Sequence, residues 1–525
     1  MSFIPTPVLA QEAAASGASQ GIEAMILILG FLFVMGMIGR SLSRNGEGEW
    51  LQRYVIWGYV AKVFGVLARF WMVTVLYGGG DSFDYHDAGT ALANVWRGFA
   101  VPVSTSGSPG TAFTEVITGF IYAIHTPSFL GAFLIYGTLC YFGQLFFYSA
   151  FRHWVGERKK RLYALAVFFY PSLVFWPSSL GKDALMVFFL GTAAYGCSRL
   201  LRTYKLSSIL FIAPGLFLAA GIRPHVAGIL GIALVLAIVL AKPPVELRGS
   251  PKRAVMLLVA VLGAAVVLSS FASTFQVSVE GGRGTENLEG FLSDVSEQTG
   301  QGGSEITGGA VGSPSQIPGA IITVLFRPLI YEGTSAQVLV SALEGTTLLL
   351  LVVWKLPVIW RNKRLLREKA YVLLCFFYTG GFIIGFSAIL NLGILARQRV
   401  QMLPFFLAAL VALAWPEEGE EEAAAEEEEP RPIFTPTVRT TTVRSAALGQ
   451  DDAVPPLKDE PRPLFAPTVR TTTANSVAVG KDGGGTPQKD GPRPIFTPTV
   501  RTTTAQSAAL GQDETGTSQG KEDTA

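Results

Sequence analysis

Charge is scarce in this sequence. Of 525 residues only 15% are Asp, Glu, Lys or Arg, against about 25% in an ordinary soluble domain, which excludes a water-soluble enzyme of this length. Cysteine is scarcer still. Cys140, Cys197 and Cys375 are the only three; each lies inside an apolar run and none has metal-ligand spacing, so neither a disulfide framework nor a zinc site is indicated. Histidine numbers four, and His86 and His225 read as hydrogen-bonding groups rather than ligands. A surplus of either sign is missing too: 41 basic and 39 acidic residues leave a formal net charge of +2, with nothing that points to nucleic acid.

What the chain has is apolar residues, half of the total, concentrated before residue 416. A bilayer core of about 30 Å requires roughly 20 apolar residues per helix. On that rule spans are expected at 22–39, 54–77, 129–151, 162–177, 184–200, 206–221, 226–241, 254–274, 336–358, 370–390 and 400–415, eleven in all. The expected organisation is an extracytoplasmic tail over 1–21, a transmembrane domain over 22–415 with outer loops at 78–128 and 275–335, an acidic linker over 416–429, and a cytoplasmic tail over 430–525. The first twenty residues have no positive leading segment, so they do not read as a cleaved signal peptide.

Basic residues accumulate in cytoplasmic loops. One set of alternate loops holds 21 Lys and Arg and the other seven, which places the amino terminus outside and the polar tail inside, in a multi-pass plasma-membrane protein. The run FTEVITGFIYAIH (113–125) is apolar enough for a further span, but a crossing there would move the basic RHWVGERKKR loop outside. It is expected to be an interfacial or re-entrant helix.

The tail is polar throughout. Nine of the thirteen residues from Glu417 to Glu429 are Glu, and a 31-residue unit then recurs as PRPIFTPTVRTTT at Pro430, PRPLFAPTVRTTT at Pro461 and PRPIFTPTVRTTT at Pro492. Such composition cannot bury enough apolar surface to offset ordering entropy, so the tail is expected to be disordered. The repeats read either as triplicated docking or phosphorylation segments for a cytoplasmic protein or as a duplicated low-complexity tail.

The few basic residues of the outer face need a reason. Lys182 stands in WPSSLGKDALM, Arg223 in GIRPHV, Arg327 in VLFRPLIYE, and Arg397 with Arg399 in NLGILARQRVQ. Cations from four separate connections suit a phosphate or diphosphate, and the planar fork of Arg suits it best; the alternative is snorkelling to phospholipid headgroups. Acidic groups gather on the same side. The loop GGGDSFDYHDAGTALAN carries Asp81, Asp84, His86 and Asp87, followed by Glu115, Asp183, Glu332 and Glu344. A carboxylate beside a lipid phosphate can take the proton of an attacking hydroxyl. Asp81 and Asp84 might equally hold a divalent cation, or Asp81 might cap a helix with Asp84 in its first turn. Within the second span Lys62 and Arg69, seven residues apart, share a helix face and must face protein, because charge at that depth is costly.

The runs YGGGDSFDYHDAG, TGFIYAIHTPSFLGAFLIYG, PSLVFWPSSLGKDALM, IRPHV, LFRP with its following Glu, and LARQRVQMLPF resemble a family of uncharacterised polytopic membrane proteins, chiefly of actinobacterial type, over roughly residues 54–410. More distantly, an acidic first outer loop followed by many helices resembles the GT-C-type glycosyltransferases, whose donors are polyprenyl-phosphate or polyprenyl-diphosphate sugars used on the extracytoplasmic face. The resemblance implies an all-α polytopic protein of about eleven transmembrane helices with a GT-C-like core. It implies Asp81, Asp84 or Asp87 as the catalytic carboxylate, and Lys182, Arg223, Arg327, Arg397 and Arg399 around the lipid phosphate, with His86, Glu115 and Glu332 as further outer-face candidates. Trp96, Tyr85, Tyr122 and Tyr331 suit stacking on sugar faces, or an interfacial aromatic belt. Two departures stand out: the acidic loop follows the second span rather than the first, and the Asp-Glu dipeptide of some relatives is absent. Competing readings are a surface-polysaccharide polymerase or ligase, served by the Gly-rich loop 276–317, and a transporter or flippase of lipid-linked sugars.

Overall fold

A computed structural model of the chain describes residues 7–100, 108–243, 251–274, 314–333, 336–389 and 391–416. The Gly-rich loop, the acidic linker and the repeats lie outside these residues. The described chain is helical: α1 (Pro7–Leu42), α2 (Glu49–Trp71, prolonged by a π-helical turn to Tyr77), α3 (Asp81–Arg97), α4 (Pro109–Ile124), α5 (Phe129–Phe151), α6 (Glu157–Phe169), α7 (Pro171–Phe175), α8 (Lys182–Thr203), α9 (Ile209–Ile222), α10 (Pro224–Leu240) and α11 (Pro251–Thr274) come first. After them stand α12 (Ile317–Phe326), α13 (Ala336–Arg361), α14 (Leu365–Glu368), α15 (Ala370–Phe386), α16 (Leu392–Gln398) and α17 (Leu403–Ala414).

Eleven spans are not what these helices supply. Among the described residues five stretches are long and apolar enough to cross a membrane: Ser19–Leu42, Glu49–Tyr77, Phe129–Phe151, Lys182–Thr203 and Val338–Glu368. A sixth is gained only if Leu392–Gln401 and Leu403–Ala414, bent by 66°, count as one span. The reason is length. At 1.5 Å per residue the 14 residues of α9 and the 17 of α10 reach only about 21 and 26 Å, and Pro171 ends α6 after 13 residues. The expected span at 162–177 is therefore a broken helix pair. FTEVITGFIYAIH lies in α4, a 16-residue helix packed along α3. The chain is thus an all-α, multi-pass membrane protein of five or six long apolar helices, and the eleven-helix core is not observed. Phe33, Phe64, Leu350 and Trp354 are all more than 60% exposed on the long helices, the outward face that a bilayer covers.

The core is built on α8, which packs against α5 on one side and α9 on the other. A Cβ on Gly191 would meet the Gly143 carbonyl oxygen at 2.3 Å, and one on Gly143 would meet the Val187 carbonyl oxygen at 2.4 Å. The two backbones touch, the small-residue packing that replaces hydrophobic drive inside lipid. Lys62, fully buried, donates to the Leu173 carbonyl at 2.9 Å and ties α2 to α7. At the basic end of the bundle, buried Glu47 accepts from Tyr148 at 2.9 Å, Lys160 at 3.4 Å and Arg152 at 3.5 Å. Lys159 and Asn362 hold the carbonyls of Ala412 and Leu413 nearby in α17.

Candidate active site

Opposite that end, five distant segments meet. Gly78 and Gly80, with φ of +61° and +114°, turn the chain out of α2 into α3, backbone that side-chain-bearing residues rarely adopt. Asp81 and Asp84 then occupy the first turn of α3, where the helix N-terminus favours negative charge. The residue before the helix is Gly80 and no side-chain cap bond is made, so Asp81 is not a capping residue and its carboxylate is 59% exposed. Ser82 donates to the Leu180 carbonyl at 2.8 Å, pinning this turn beside the start of α8.

There Asp183 is buried. One carboxylate oxygen accepts from Arg223 at 3.0 Å, and the other accepts from Arg397 Nε. Arg223 sits at the break between α9 and α10, where Pro224 opens the new helix. Arg397 comes from α16, whose start is capped by the Asn391 side chain accepting from the Gly393 and Ile394 amides. Arg397 turns its second terminus to Asp81, at 3.7 Å. Lys182 donates to Thr111 Oγ1 at 2.8 Å, bringing in α4, and lies within electrostatic reach of Asp81, Asp183, Arg223 and Arg397. Glu115, one turn beyond Thr111, is buried; burial and the nearby Asp84 carboxylate push its pKa above the ordinary value, against the pull of Lys182. Tyr85 is buried as well, and burial with Asp81 nearby pushes its phenol up to about 12.

Asp81, Asp84, Glu115, Lys182, Arg223 and Arg397 are therefore brought together, and two of the expected phosphate cations are not. Arg327 pairs with Glu332, its Nε donating at 2.8 Å, while the second Glu332 oxygen accepts from the Leu329 amide at 2.7 Å. Those bonds hold the Glu332 pKa below its usual value against the burial penalty. Arg399 is buried, donates to the Arg327 carbonyl, and faces Glu344 and Tyr170 rather than Asp183. His86 hydrogen-bonds Tyr122 at 2.6 Å and packs edge-on against Phe129; burial holds its imidazole below the usual value despite Asp87. Asp87 thus serves the α3–α4 pairing more than the cluster. Tyr85 and Tyr122 are buried and offer no face for a sugar, whereas Tyr331 is 79% exposed.

Among the described residues no group of three or more His, Cys, Asp or Glu is placed to hold a metal ion, so Asp81 and Asp84 find no third ligand. The three cysteines are buried and free. Two participants were missed by pattern reasoning. Asp183, the hub of the cluster, carried only the signal of standing next to Lys182 at a helix start. Arg69 lies near Asp183 and Arg397 and was flagged by its depth in a span. Comparison with family models, with curated proteins and with solved structures gives no match for this chain.

Proposed function

We propose that this protein is a membrane glycosyltransferase that moves a sugar from a polyprenyl-phosphate or polyprenyl-diphosphate donor to an acceptor hydroxyl on the extracytoplasmic face, in cell-envelope glycan synthesis. One observation carries the reading: Asp81, Lys182, Asp183, Arg223 and Arg397, drawn from segments up to about 300 residues apart, share one cluster at one end of the bundle. Asp81 is the exposed carboxylate of that cluster and acts as general base. The acceptor oxygen attacks the anomeric carbon and its proton passes to Asp81. The bond to the lipid phosphate breaks with the electron pair leaving on the phosphate oxygen, which Arg223, Arg397 and Lys182 stabilise. Asp183 positions both guanidiniums. The basic loops lie at the other end, which favours an outward-facing cluster, with the amino terminus outside and the repeats inside as docking segments for a cytoplasmic protein.

The test is transfer from isotopically labelled lipid-linked sugar in membranes carrying Asp81→Asn or Arg397→Ala. Each is expected to lower turnover by about 10²-fold or more. Normal turnover in both variants excludes the reading.

A further inference from the structure

A cavity of about 400 Å³ lies between the end of α2, α7 and α13, within the range of about 300 to 1,000 Å³ of ligand sites. Its walls are mainly apolar, formed by Met72, Pro171, Phe175, Trp176 and Val340, with Ser172 and Glu344 on one side. Val340 is 59% exposed and its neighbours Leu339 and Leu343 are exposed too, so the cavity opens beside the outward apolar face of a long helix.

Behind its aromatic wall stands Arg69, only 8% exposed. The guanidinium lies 5.4 Å from the ring centres of both Phe175 and Trp176. Among the described residues it forms no ion pair, its one hydrogen bond is a weak contact to Met72 Sδ at 3.9 Å, and Nε has no partner. Asp183 is near enough to act on it, but both Asp183 oxygens are taken by Arg223 and Arg397. A buried cation without a hydrogen-bonded counter-charge is costly. Here it adjoins an apolar chamber on one side and the charged cluster on the other.

We infer that this chamber holds the hydrocarbon chain of a polyisoprenoid phosphate, entering from the bilayer between α2 and α13, with its single phosphate on Arg69. The inference rests on the lipid-carrier reading above and narrows it to a monophosphate. Arg69 is one cation, Arg223 and Arg397 are already paired, and the Glu344 carboxylate across the chamber disfavours a second phosphate. Glu344 accepts from the Ser172 amide at 2.9 Å and faces Arg399, so it is held in place.

Binding to the full-length purified protein in detergent tests this through quenching of Trp176 fluorescence or native mass spectrometry. The probes are a short polyprenyl monophosphate, the matching diphosphate, inorganic phosphate and phosphatidylglycerol. The monophosphate is expected to bind at least tenfold more tightly than any other probe. Arg69→Met is expected to weaken that binding tenfold or more without lowering the melting temperature, because it removes a buried charge that no carboxylate pairs. Val340→Trp, which fills the chamber from its exposed rim, is expected to do the same with Arg69 intact. Equal affinity for the diphosphate, for phosphatidylglycerol or for inorganic phosphate overturns the inference, as does unchanged affinity in both variants. Lipid binding that depends on Arg69 and Val340, with transfer indifferent to Asp81 and Arg397, removes the glycosyltransferase and leaves the lipid site. The converse removes the lipid site alone.

Discussion

Asp183 has both carboxylate oxygens engaged by guanidiniums, and its side chain is only 3% exposed. Replacing it by Ala leaves Arg223 and Arg397 without their partner in a buried setting, and breaking such a pair costs about 3 to 5 kcal/mol. Asp183→Ala is therefore expected to unfold at markedly lower temperature in a detergent-solubilised thermal melt, whereas the exposed Asp81→Asn is expected to melt near the parent temperature. Glu115 gives a prediction of opposite sign. Its pKa in the fold is raised, chiefly by burial and then by Asp84, above an unfolded value of about 4.3. The unfolded chain loses that proton first as pH rises, so stability falls between the two pKa values and stays lower at neutral pH. Glu115→Gln cannot ionise; it is expected to be the more stable protein at pH 7 and to converge with the parent near pH 4, as read by thermal melts at the two pH values. At this scale the sequence was legible in part. Asp81, Lys182, Arg223 and Arg397 stand out as charges in apolar surroundings, and they meet. Arg399 stands out equally and does not join them. It lies two residues past Arg397 on helical backbone, and at about 100° per residue its side chain points some 200° away. Residue type gives the charge; direction needs the helix.

Helix by helix, length decides what the apolar runs become. The runs at α1, α2, α5, α8 and α13 were readable because each is long and uninterrupted. Those at α6–α7, α9–α10 and α16–α17 are cut by Pro171, Pro224 and a 66° bend before α17, since proline forbids the hydrogen bond that would continue the helix. A hydropathy window averages over such breaks, which is why eleven spans were expected and five or six are found. Close packing was not legible at all, because a glycine in an apolar run has the same appearance whether it faces lipid or a backbone. Gly143 and Gly191 face each other across the α5–α8 contact. Gly191→Leu has to part these backbones, an overpacking cost of at least about 1 to 3 kcal/mol. Reduced yield of folded monomer on size-exclusion chromatography and a lower melting temperature are expected, while Gly79→Leu, which has open space around it, is expected to leave both unchanged.

For the whole molecule, the gathering of basic loops at one end and of the charged cluster at the other sets an orientation. Tyr331→Cys, exposed beside Arg327, is expected to react with a membrane-impermeant maleimide in intact cells, and Arg364→Cys only after permeabilisation. The buried native cysteines stay silent in both. Labelling in the reverse order inverts the molecule and moves the chemistry to the cytoplasm. Fold and chemistry come together only through tertiary pairing: Asp81, Asp183, Arg223 and Arg397 have no short-range relation in the chain, and a shared substrate is what gives their convergence a purpose. The measurement that bears on this most directly is a double-mutant cycle on transfer of labelled sugar from the lipid carrier, using Asp81→Asn, Arg397→Ala and the pair. Groups acting on one transition state are strongly non-additive. The expected result is a double variant little slower than the slower single variant; independent effects that simply multiply, or full activity in all three, contradict a common active centre.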